Sequence, residues 1–120
     1  MKLAVVGSRG FDNYNLLNTY LTKIHLREPI TCIVSGGAKG ADKLSERWAK
    51  ENNIPTKIFY PDWDKFGKRA GFLRNNDIIT EADKILACWD GISNGTKNSI
   101  ELSKRQNKKC HVVYYNEKKE

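Results

Sequence analysis

Seven of the nine glycines fall in three short stretches: Gly7-Ser8-Arg9-Gly10, Ser35-Gly36-Gly37-Ala38-Lys39-Gly40-Ala41-Asp42 and Asp90-Gly91-Ile92-Ser93-Asn94-Gly95-Thr96. Glycine turns tightly and lets backbone N–H groups approach an anion. Each stretch follows an apolar run and precedes a segment of helical period. Each therefore brings a helix N-terminus, with unpaired N–H groups and partial positive charge, to the end of a strand. Three such ends on one sheet edge make a phosphate cradle. Gly36, Gly37 and Gly40 are its expected backbone donors. The bland alternative is that the glycines only close tight turns. The common templates are absent: no GxGxxG follows the first apolar run, and neither GxxxxGK[ST] nor GxSxG occurs.

A fourth stretch, Pro61-Asp62-Trp63-Asp64-Lys65-Phe66-Gly67, carries two aromatics. Trp63 can stack on a base or cover the core edge. Beyond it, Gly71, Arg74, Asn75 and Ile78 follow an i, i+3, i+4, i+7 stripe. A permanently charged guanidinium on a core-facing stripe needs an anionic partner. The candidates are a ligand phosphate or a structural carboxylate, Asp42 or Asp90.

The elements that position these residues alternate. Apolar runs at residues 2–6, 30–34, 56–60, 84–89 and 110–115 read as strands. Residues 13–26, 68–82 and 94–106 read as helices, the first capped by Asp12 or Asn13. Ala41, Leu44, Ser45, Trp48 and Ala49 mark a further helix with one buried face. The order βαβαβαβαβ predicts an α/β fold: one Rossmann-like, doubly wound three-layer sandwich on a five-stranded, mostly parallel sheet. The domain should occupy residues 1–116, with 117–120 a frayed tail.

The chain has 120 residues, a net charge of +7, three cysteines and two histidines. That length is one domain with a substantial core. Its longest apolar runs are far short of the roughly 20 residues of a membrane helix. The N-terminal apolar run is too short for a signal peptide, which predicts a cytoplasmic protein. Cys32, Cys88 and Cys110 lie in strand-like runs and read as small hydrophobes in a reducing compartment. Neither His25 nor His111 has ligand spacing, so no metal is expected. The charge favours an anionic partner.

The segments GSR, SGGAKGAD, WDKFGKRAGFLRN and WDGISNGT, in that order, resemble the SLOG superfamily, related to the Lonely Guy cytokinin-activating enzymes and to DprA. The closest resemblance is to small bacterial and phage members of the YspA/YpsA-related kind. It spans residues 2–115 and implies a Rossmann-like sheet whose Gly-rich loops bind a nucleotide or nucleotide-derived ligand. The expected ligand-binding set is Gly7, Ser8, Arg9, Ser35, Gly36, Gly37, Lys39, Gly40, Asp42, Trp63, Arg74, Asn75, Asn94, Gly95 and Thr96. No cofactor is expected. The leading function is a sensor, or a sponge that sequesters a signalling nucleotide. The alternative is a nucleoside 5'-monophosphate phosphoribohydrolase with Arg74 and Glu101 catalytic. Against it, Lys97, Asn98 and Ser99 stand where the resembled glycosidases carry paired acids. A third reading, DprA-like single-strand nucleic-acid binding, draws on the high pI, Trp63 and Phe66. The resemblance also implies a homodimer or higher oligomer, to which Phe72, Ile79 and Ile92 would contribute an apolar surface.

Overall fold

A computed structural model describes residues 1–115. The proposed frayed tail lies outside them. The elements run β1 (Lys2–Gly7), α1 (Tyr14–Arg27), β2 (Cys32–Ser35), α2 (Ala41–Glu51), β3 (Thr56–Ile58), α3 (Trp63–Phe66), a 3-10 turn (Gly67–Arg69), α4 (Ala70–Glu81), β4 (Lys84–Trp89), α5 (Asn94–Arg105) and β5 (Lys109–Tyr114). The sheet order is β3-β2-β1-β4-β5, and all four pairings are parallel. This is the expected doubly wound sandwich.

The reason lies in which face each residue takes. Leu3 and Val5 of β1 pack with Leu17 and Leu21 of α1 and Trp48 and Ala49 of α2. Ala4 and Val6, on the opposite face, pack with Ile78 and Ile79 of α4 and Ile100 of α5. A strand apolar on both faces must be covered twice, so β1, β2 and β4 are central. Trp48 is buried, and its indole N–H donates to the Asn18 side chain of α1 at 2.9 Å. Asn13, not Asp12, caps α1, accepting from the N–H of Leu16.

Three expectations shift. The strand predicted at 30–34 starts at Cys32, and the one predicted at 56–60 ends at Ile58. The helix predicted at 68–82 is α4, which starts at Ala70 after a 3-10 turn, and a further short helix, α3, occupies the stretch read as a loop. Asp62 caps α3 through the N–H of Lys65, and Gly67 at φ +58° ends it after one turn. Ile79 does not belong to a surface patch: it is fully buried on the inner face of α4, while Phe72 and Ile92 are exposed.

Candidate functional site

The strand order reverses between β1 and β4. At that point, beyond the carboxyl ends of the strands, lies an open cavity of about 510 Å³. Gly7, Ser8, Arg9, Asp42, Trp63, Arg74, Asn75, Gly95 and Thr96 line it, as expected from their loops. Ser35, Gly36, Gly37, Lys39, Gly40 and Asn94 do not, nor does Glu101, which is exposed along α5. Lining residues that sequence reasoning missed include Lys68, Gly71, Phe72, Asp90 and Ser93. Gly71 already carried a signal, because it shares the stripe of Arg74; Ser93 carried one as the residue before the fifth helix.

The second glycine loop is occupied by the chain itself. The Asp42 carboxylate is buried and accepts from the N–H of Ala38 at 3.1 Å; the N–H of Gly36 also stabilises it. The N–H of Gly37 donates to Ser35 Oγ at 3.2 Å, and that hydroxyl donates to Glu46 at 2.7 Å. So the anion in this nest is a side chain, not a ligand. Burial raises the Asp42 pKa from 3.8 to about 6, against the lowering effects of Ala38 N–H, Arg74 and Gly36 N–H.

Arg74 is half-buried. Its Nη1 donates to the Gly36 carbonyl at 2.7 Å and its Nε to the Asn75 side chain at 3.1 Å. Burial lowers its pKa, and the charge of Asp42 opposes that effect. A Cβ on Gly36 would sit 2.8 Å from Arg74 Nη1 and 2.9 Å from Asp42 Oδ2, so only glycine fits between the two charges. Asp90 plays no such part. Its carboxylate accepts from the N–H groups of Ile92 and Ser93, both at 2.8 Å, which hold its pKa down. Asn75 reaches across to α5, donating to Asn98 at 3.2 Å. Gly40, at φ +92°, presses the second loop onto the first: a Cβ there would meet the Ser8 carbonyl at 2.5 Å.

The start of α5 is arranged differently. Ser93, its N-cap residue, makes no side-chain cap. Instead a row of hydroxyls crosses the cavity floor, with Ser8 and Ser93 Oγ 2.7 Å apart and Ser93 donating to Thr96 Oγ1 at 3.2 Å. With Ser93 as donor to Thr96, Ser8 donates to Ser93, and the Thr96 hydroxyl keeps its own proton to donate. The first-turn N–H groups of a helix have no intrahelical acceptor, and Gly95 has open space where a side chain would stand. Arg9, Lys68 and Arg74 give the lining three cations against the carboxylates of Asp42 and Asp90. Trp63, 54% exposed, and Phe72, 52% exposed, flank the cavity. Among the described residues no group of His, Cys, Asp or Glu is arranged to hold a metal, and no helix is long and apolar enough to cross a membrane.

Residues 1–66 match the sequence model of the YspA, cpYpsA-related SLOG family. The chain is 31% identical over 106 residues to the Gene 61 protein of Mycobacterium phage D29, covering 82% of this chain and 85% of that protein. Its fold is similar to that of DNA processing protein A (DprA) from Streptococcus pneumoniae, with a TM-score of 0.76 at 19% identity over 96% of this chain. The chain spans half the length of that DprA structure.

Proposed function

The chain belongs to the YspA, cpYpsA-related SLOG family, and from that premise we propose that it binds a nucleotide or nucleotide-derived ligand in the cavity at the β1/β4 switch point. The observation that carries this reading is the contrast between the glycine loops that lead into α2 and α5. The N–H groups of Gly36 and Ala38 in the loop before α2 are taken by Asp42, whereas the start of α5 opens on the cavity with Gly95, Thr96 and nearby cations. A phosphate belongs at α5, where N–H groups, the Thr96 hydroxyl and Arg9 or Lys68 supply charge-assisted donors. A base then lies toward Trp63 and Phe72, whose exposed rings offer stacking area. Arg74 shapes the floor through Gly36 and keeps donors toward the ligand.

The role is binding: a sensor, or a sponge for a signalling nucleotide. The N-glycosidase reading has one observation in its favour, the cavity carboxyl of Asp42 with a pKa of about 6, suited to proton transfer near neutrality. That carboxyl is already engaged by loop N–H groups, and Glu101 stands outside the cavity. Calorimetric titration with adenosine 5'-monophosphate, guanosine 5'-monophosphate and the parent nucleosides tests the proposal. Monophosphates should bind at least about tenfold more tightly than nucleosides, the value of one good charge-assisted contact. Equal or absent binding across the set defeats it. Chromatography of the same mixtures separates the two readings, because free base after incubation means hydrolysis.

A further inference from the structure

A second hollow, of about 490 Å³, opens at the opposite edge of the sheet, where β1, β4 and β5 begin. Met1, Leu3, Tyr20 and Ile24 give it an apolar wall, and all four belong to or pack on the core face shared with α1. Lys23 and Arg27 of α1, Lys84 of β4 and Lys109 of β5 surround that wall, and Glu28 is the only carboxylate among the lining residues. Glu28 pairs with Lys84 at 2.6 Å. Lys23, Arg27 and Lys109 have no carboxylate partner among the described residues.

Helix-end charge explains part of this, since cations near the last turn of α1 suit its dipole. It does not explain β5. The register places Leu3, Lys84 and Lys109 in one row across three adjacent strands, so two lysines stand side by side on the same face. Like charges so placed are destabilising. One carboxylate, that of Glu28, serves the pair through Lys84, so the hollow keeps a net positive charge. Beside them the His111 ring packs 5.6 Å from that of Tyr20, giving the hollow an aromatic side.

We infer that this hollow is a second ligand site, separate from the switch-point cavity, for a small organic anion with a flat apolar body and one acidic head. The body would lie on Met1, Ile24 and Tyr20, and the head between Lys109 and Arg27. Its size falls within the range of small-molecule sites.

The test uses two probes with the same ring skeleton, 8-anilinonaphthalene-1-sulfonate and neutral N-phenyl-1-naphthylamine. Titrations followed by fluorescence and by amide chemical shifts give affinity and location together. The sulfonate should bind about tenfold more tightly, the value of one or two half-desolvated charge contacts. Its largest shifts should fall at Tyr20, Ile24, Lys109 and His111. Joint Arg27→Glu and Lys109→Glu should erase the preference and leave the neutral probe within about twofold of its original affinity. The inference fails if the sulfonate shifts Ser93, Gly95 and Thr96 instead, if its preference survives charge reversal, or if it does not bind.

Discussion

Asp42→Asn isolates the charge that fills the second glycine loop. In the folded chain the carboxyl titrates near 6, against 3.8 ordinarily. The folded state therefore holds the proton more tightly than the unfolded state. Below about pH 3 both states are protonated and the group costs nothing. As pH rises toward 6 the unfolded chain ionises freely and the folded chain ionises at a penalty. The gap of about 2 pH units, at about 1.4 kcal/mol each, makes that penalty roughly 3 kcal/mol above pH 6. Asparagine does not titrate, and its amide oxygen can still accept from Ala38. The stability of the Asp42→Asn variant relative to the parent should therefore rise by about 3 kcal/mol between about pH 3 and pH 7 and then level off.

Urea denaturation followed by the fluorescence of buried Trp48 measures both proteins across that range. The difference between the curves removes every other titrating group to first order. A flat difference would mean that burial does not dominate at Asp42. A difference of opposite slope would mean that Arg74 outweighs burial. A ligand anion beside Arg74 adds a consequence, because it raises the Asp42 pKa further. Nucleotide binding near pH 7 should then take up a proton, seen as a heat that depends on the buffer, and the Asp42→Asn variant should lose this uptake.

Arg74→Ala should weaken nucleotide binding by roughly ten- to a hundredfold and cost about 1–3 kcal/mol of stability through the lost bond to the Gly36 carbonyl; calorimetry and urea titration read the two effects, and a variant with full affinity rejects the ligand role. Gly40→Ala should destabilise by about 1–3 kcal/mol or more, because φ is +92° and the new methyl meets the Ser8 carbonyl; an unchanged denaturation midpoint would contradict the contact between the two loops. The exposed apolar residues Phe72 and Ile92 should mediate self-association, so light scattering should give a dimer mass that Phe72→Glu with Ile92→Glu reduces to a monomer; a monomer mass for the unaltered chain across micromolar concentrations removes the idea.

The architecture was legible where a physical signal is local. Leu3 to Val6 is apolar on both faces, which only a covered central strand tolerates, and the Ala41 to Ala49 stripe by itself assigns Trp48 to the core. The third crossover was less legible, because α3 is a single turn of four residues, capped by Asp62 and ended by Gly67, too short for any periodicity to show. Ile79 was misread for a related reason: it lies next to Ile78 on a wide buried stripe. The site was half legible. Glycine spacing gave the loops but not the acceptors of their N–H groups, which depend on long-range placement. Asp42 reads in sequence as an acid in the first turn of a helix, favourable to the dipole and otherwise ordinary. Only folding brings it back over Ala38 and under Arg74, where it supplies the anion that the loop was expected to take from outside. The physics expected of that loop operates, on an internal partner, and the α5 end with Gly95 and Thr96 is left to do the same for a ligand.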